Sequence, residues 1–161
     1  MKPRTSPLKN NPDGKIIDCF FSWIKSPTDF YIHLRDEIAS LVEPLKNRLN
    51  ELYHNSQEVP VTKPEIGSYW VIQESGTKFW SRAKIISVMS EENSIKMPHA
   101  ANGYIKARRT ICKVFLVDWG NEDEVDISQL RPLVKEILDI PCLAIRCRLD
   151  GISPIDAVAV C

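Results

Sequence analysis

The run Val114-Phe115-Leu116-Val117-Asp118-Trp119-Gly120-Asn121-Glu122-Asp123-Glu124-Val125 constrains the fold most. An apolar, β-branched and aromatic stretch is broken by Gly-Asn, two residues that tolerate left-handed backbone, and a second extended stretch follows. This predicts strands over 110–119 and 124–127, joined by a tight turn. Two further strands are predicted before it, over 69–73 and 79–88, around the turn Glu74-Ser75-Gly76-Thr77-Lys78. Short strands and tight turns at this spacing suggest a small, bent antiparallel barrel. Residues 89–109, of mixed composition with Pro98 and Gly103, read as a long loop interrupting it.

The flanks read differently. Residues 16–24 and 30–34 are β-rich and separated by Ser26-Pro27-Thr28-Asp29, which predicts a hairpin. Ile38, Leu41, Val42, Leu45, Leu49, Leu52 and Tyr53 then form one apolar stripe at helical spacing. Pro44 interrupts it, so either the helix kinks there or a fresh helix starts, with proline in its first turn. Residues 58–65, with Pro60 and Pro64, read as an extended linker. At the other end, Leu143, Ile145, Cys147 and Leu149 alternate with Ala144, Arg146, Arg148 and Asp150, predicting a half-buried strand within 140–152. Residues 1–14 read as a disordered leader.

The chain of 161 residues carries 21 basic and 21 acidic side chains, a net charge of zero. That balance excludes a generally basic nucleic-acid binder and a polybasic membrane anchor. No apolar run approaches the roughly 20 residues of a spanning helix, and the polar N-terminus is unlike a signal peptide, so a soluble intracellular chain is expected. The five cysteines are odd in number and form no CxxC pair, and Cys19, Cys112, Cys142 and Cys147 sit among apolar residues. Buried free thiols are expected and no metal site, since His33, His54 and His99 supply no ligand pair. No Walker loop, HExxH or GxSxG is present, and Asp18, Asp29, Arg146 and Arg148 fall at no catalytic spacing, so no enzyme and no cofactor is expected.

Gly67-Ser68-Tyr69-Trp70, then Phe79-Trp80-Ser81-Arg82-Ala83-Lys84-Ile85, then the Asp118-Trp119-Gly120-Asn121 run resemble the Tudor domain in order and spacing. Its strands read "W-aromatic-R-A-x-I" followed by "V-F-aromatic-I-D-Y-G-N-x-E-x-V". The tail Ile140-Pro141-Cys142-Leu143-Ala144-Ile145-Arg146-Cys147-Arg148-Leu149-Asp150-Gly151-Ile152-Ser153-Pro154 resembles the flank of the extended Tudor domain. The resemblance covers about residues 16–155. It implies a mainly β fold with one long helix: a Tudor (SH3-like) barrel over 66–133, inserted in a partial staphylococcal-nuclease-like (OB-type) subdomain. That subdomain takes residues 15–65 and 134–161, and its last part looks cut short.

The resemblance also implies a non-catalytic reader of arginine-containing tails of PIWI-type Argonautes, often symmetrically dimethylated, acting in cytoplasmic germline granules. Such readers box a cation between aromatic faces, at about 0.5–2 kcal/mol per contact, while an asparagine amide bonds the guanidinium. Carried over by position, that site falls on Glu74, Ser81, Leu116, Trp119 and Asn121, with Asp118 beside them and Phe79, Tyr69, Glu122 and Glu124 as secondary candidates. Trp119 and Asn121 fit; Glu74, Ser81 and Leu116 stand where strong methylarginine readers are aromatic. A carboxylate there favours an unmodified guanidinium, which can donate paired hydrogen bonds. Unmethylated or methylation-insensitive arginine binding is therefore expected. Each position also has a plainer use: Trp119 in packing, Asn121 in the turn, Asp118 as a turn cap.

Charge is segregated locally. Residues 118–126 hold Asp118, Glu122, Asp123, Glu124 and Asp126 and no base; residues 104–113 hold Lys106, Arg108, Arg109 and Lys113 and no acid. The acidic run is expected to attract an arginine-rich tail. The basic run offers an alternative, weak and salt-sensitive contact with RNA, and an open strand edge in the cut-short subdomain offers self-association.

Overall fold

The structure is a computed structural model. It describes residues 16–57, 61, 63–96 and 104–151, with side chains for all of these except 92–96 and 104–108. The predicted leader and the tail beyond Gly151 lie outside the described residues, as does part of the linker.

Two sheets are present. One has the order β1 (Cys19–Ser26), β2 (Asp29–Leu34), β7 (Ile145–Cys147) and is antiparallel throughout. The other has the order β3 (Tyr69–Gln73), β4 (Trp80–Lys96), β5 (Tyr104–Leu116), β6 (Glu122–Asp126). A bridge between Val71 and Arg131, bonded both ways at 2.9 and 2.8 Å, returns the chain after β6 to β3 and closes this sheet into a barrel. Ile72, Ala83, Ile85, Cys112, Val114, Leu116, Val125 and Leu130 fill it.

The predicted helix forms with its proline accommodated. α1 (Arg35–Glu37) passes into a π-helical turn (Ile38–Val42) and then into α2 (Glu43–Tyr53). Glu43 N–H bonds the Ile38 carbonyl, so the wide turn absorbs the register before Pro44, which falls in the first turn of α2. The π turn also shifts the phase of the apolar stripe. Val42, Leu45, Leu49 and Tyr53 are buried against Val71, Trp80, Ile137 and Leu143, whereas Leu41 faces out.

Three expectations are corrected. Residues 89–109 are no simple loop: β4 runs on to Lys96 and β5 starts at Tyr104. The ladder brings Glu91 opposite Arg109 and Glu92 opposite Arg108, opposite charges at paired positions of the register. The C-terminal strand shrinks to Ile145–Cys147, because Pro141 to Ala144 are spent on contacts with the barrel and Leu149 lies beyond the ladder. A short helix, α3 (Lys135–Leu138), precedes it unforeseen and buries Ile137. Of the thiols, Cys112 is buried and Cys142 and Cys147 are half-buried, but Cys19 is exposed on the outer strand.

Candidate functional site

Arg82 and Asp118 organise the junction of the two sheets. Arg82 comes from β4 and Asp118 from the turn after β5. They form a two-pronged pair at 2.8 and 2.6 Å, with side chains 0% and 5% exposed. The remaining guanidinium N–H groups donate to the carbonyls of Ile137, Ile140 and Pro141. Asp118 also accepts from the Leu143 N–H, and its own carbonyl meets the His33 ring at 2.6 Å. Every polar atom of the pair is thereby satisfied, which is the condition for burying charge. Asp118 is therefore neither a turn cap nor a ligand contact; it ties the barrel to both flanks.

Beside this pair the chain turns at Gly120, whose φ of +96° suits glycine. A Cβ built there would overlap the Tyr31 ring of β2. Ser22 of β1 donates to the Trp119 carbonyl at 2.8 Å. The Trp119 turn is thus pinned from the flanking sheet.

Three predicted site residues come together. The Trp119 indole N–H donates to Ser81 Oγ at 3.2 Å, and the Ser81 hydroxyl in turn donates to Glu74. Thr77 holds the other Glu74 oxygen at 2.6 Å. The Ser75 N–H and hydroxyl bond Asp123 at 3.0 and 2.9 Å, which clamps the Glu74 turn onto β6 next to Asn121. Asn121 uses its carbonyl for the Leu116 N–H at 2.8 Å. Among the described residues its side-chain amide has no hydrogen-bond partner.

Other predicted members lie elsewhere. Leu116 is 1% exposed and belongs to the barrel core, so it offers no wall to a ligand. Phe79 is exposed, with the Lys46 ammonium 4.5 Å from its ring centre. Tyr69 is half-buried under Lys84, at 5.8 Å. The space beside Ser81 and Trp119, lined also by Leu45, Lys46 and Leu143, is about 10 Å³. That is about the least a single water needs, so this space is no open cage.

The two charged runs meet rather than stand apart. Arg109 pairs with Asp126 at 2.7 Å and Lys113 with Glu122 at 2.6 Å, across β5 and β6. The acidic lip keeps Glu124 exposed, while Asp123 is engaged by Ser75. What sequence reasoning missed is a groove of about 400 Å³ between the three-stranded sheet and the barrel, lined by Trp23, Lys25, Asp29, Tyr31, Phe115, Gly120, Glu122 and Arg146. The pairing of β2 with β7 brings Arg146 to it and the packing of Tyr31 on Gly120 and Phe115 brings the barrel, and no local pattern encodes either.

A four-stranded barrel with a glycine turn, tied by a buried Arg–Asp pair to a helix and a second sheet, defines an extended Tudor architecture. The sequence profile of the Tudor domain matches residues 11–97 and 105–151, and the chain belongs to that family. It is 30% identical over 139 residues to human Tudor domain-containing protein 1 and 29% identical over 135 residues to that of Oryzias latipes. These alignments cover 85% and 84% of the chain but 10% of each relative, so the chain spans about a tenth of their length. The extended Tudor domain TD3 of mouse TDRD1, solved with a MILI peptide containing dimethylarginine, superposes with a TM-score of 0.66 at 26% identity. It covers 87% of this chain and 62% of that one. The extended Tudor domain of human TDRD1, solved with a symmetrically dimethylated peptide, gives 0.65 at 25%, over 84% and 59%. Drosophila melanogaster Papi shares the fold, with a TM-score of 0.70 at 18% identity, over 91% of this chain and 69% of that one. Tudor domains are reader modules.

Proposed function

We propose that the chain is a non-catalytic peptide reader that takes arginine-containing tails of PIWI-type proteins without requiring arginine methylation, in a cytoplasmic germline granule. The carrying observation is the Glu74–Ser81–Trp119 hydrogen-bonded line beside the unpartnered Asn121 amide. Glu74 is half-exposed, and each of its oxygens keeps a lone pair after accepting from Ser81 and Thr77. A guanidinium approaching from outside can donate to that carboxylate while the Asn121 side-chain amide oxygen accepts another N–H. Symmetric dimethylation would remove donors that these two acceptors use.

Relatives bear on this from both sides. TDRD1 domains were solved with dimethylarginine peptides, and Papi with both a dimethylated and an unmethylated Piwi peptide. Titration of matched unmodified and symmetrically dimethylated arginine peptides tests the proposal. The unmodified peptide is expected to bind at least as tightly, and Glu74→Gln and Asn121→Ala to weaken it. A clear preference for the methylated peptide would overturn it.

A further inference from the structure

The groove between the three-stranded sheet and the barrel adjoins the arginine site. Gly120 lines it, Trp119 precedes Gly120, and Ser22 of β1 is bonded to the Trp119 carbonyl. An extended peptide advances about 3.3 Å per residue, so a chain whose arginine lies at Glu74 and Asn121 enters the groove within a few residues.

The polar groups lining it are unequally committed. Asp29 is held by Arg146 Nε at 2.7 Å, and Glu122 by Lys113 at 2.6 Å. The donors are in excess. Arg146 spends only its Nε on Asp29, leaving both terminal nitrogens without a hydrogen bond among the described residues. Lys25 is exposed and makes no ion pair there, although its charge is felt at Asp29. The Tyr31 hydroxyl has no hydrogen-bond partner there either, and burial, joined by the charges of Asp29 and Glu122, outweighs the lowering by Arg146 and pushes its titration up, so it remains a donor. Its ring is fixed against Gly120 and Phe115, which aims the hydroxyl at a constant place. The aromatic faces of Trp23, Tyr31 and Phe115 alone would suit a cation, but the carboxylates that would complete a cation site are already neutralised.

We propose that this groove is a carboxylate-reading subsite, taking an Asp or Glu side chain of the bound peptide between Lys25, the terminal N–H groups of Arg146 and the Tyr31 hydroxyl. The subsite rests on the arginine-peptide reading above. A polyphosphate chain suits it less, because Lys25 and the terminal N–H groups of Arg146 are too few to meet repeated negative charge.

The test titrates the full chain with arginine peptides bearing Glu at each position two to four residues to either side, against the same peptides with Gln. One register is expected to favour Glu by roughly three- to tenfold, more at low salt. Lys25→Ala and Tyr31→Phe should each reduce that preference, and together abolish it, while thermal melts confirm the fold. Equal binding of Glu and Gln peptides at every register overturns the subsite. So does a preference that survives the double variant, a gain on placing Lys instead of Glu, or Lys25-dependent displacement of the Glu peptide by single-stranded RNA. A peptide with its arginine changed to alanine separates the two claims. Unchanged binding with the Glu preference intact defeats the arginine reading and leaves the subsite, whereas arginine dependence with no Glu preference does the reverse.

Discussion

Inside the barrel, apolar side chains from all four strands close on one another, and Ile72, Ala83, Cys112, Val114 and Leu130 lose essentially all contact with water. The three-stranded sheet is also rich in apolar residues, but of these it buries only Phe30, Ile32 and Ile145 among the described residues, with His33 beside them. On its outer strand Phe21 and Ile24 remain 62% and 58% exposed. The difference is in closure. The barrel returns to its own first strand through Val71 and Arg131, whereas β1 has one neighbour among the described residues. The barrel therefore carries its own stability, and the sheet borrows its placement from the barrel through Asp118 and Gly120.

Asp118→Ala puts that dependence to the hardest test. It leaves Arg82 buried without its partner and frees the Leu143 N–H, and denaturant unfolding should show a loss of about 3–5 kcal/mol. If the loss is below about 1 kcal/mol, the worth of an exposed pair, the buried pair is not the tie. Gly120→Ala should cost about 1–3 kcal/mol, by forcing a left-handed alanine and displacing Tyr31. Hydrogen exchange should then show protection falling in β1 and β2 while β3 to β6 keep theirs. Equal loss in both sheets would mean they form one cooperative unit.

Acid separates the regions by a different route. The Ser128 backbone N–H, outweighing burial, and then Arg109 hold the Asp126 carboxyl below its ordinary value of 3.8. The Arg146 side chain does the same for Asp29 in the sheet. Both groups have folded titrations lower than unfolded ones, so each stabilises above the ordinary value and loses that contribution as pH falls through the folded one. Asp126→Asn and Asp29→Asn should each flatten the acid limb of the stability curve. Added salt should shrink the Asp29 effect more, since its largest cause is an exposed ion pair rather than a backbone hydrogen bond. The smallest change is expected from Lys113→Ala, within about 1 kcal/mol, because its pairing with Glu122 is exposed.

The sequence made the barrel legible because its signals are local. The Gly120-Asn121 turn, the Glu74 to Lys78 turn and the apolar, β-branched run before Asp118 each report on neighbours along the chain. Pro44 pointed to a disturbed helix start, and a π turn lies there. The long β4–β5 hairpin was hidden because Ser90 to Lys96 show no apolar alternation in the sequence, so a polar strand read as a loop. In the site, Trp119, Ser81 and Glu74 converge from positions the family resemblance marked, but Leu116 could not be placed inside the barrel by alternation alone. Phe115 and Leu116 point to opposite faces, and which face is interior depends on how the barrel closes. The junction role of Asp118 needed the distant carbonyls of Ile137, Ile140 and Pro141, which are bound by Arg82, its partner.

The pairing of β2 with β7 sets an order of events as well as a shape. Phe30 and Cys147 are direct partners across 147 − 30 = 117 residues of chain. Closing a flexible loop of that length costs about 4 kcal/mol in chain entropy before any contact rewards it. A barrel folded first shortens that loop, since its two ends emerge together where Val71 meets Arg131. The barrel should thus act as a template whose early formation makes the distant strands meet quickly, and anything that delays it should slow the sheet more than itself.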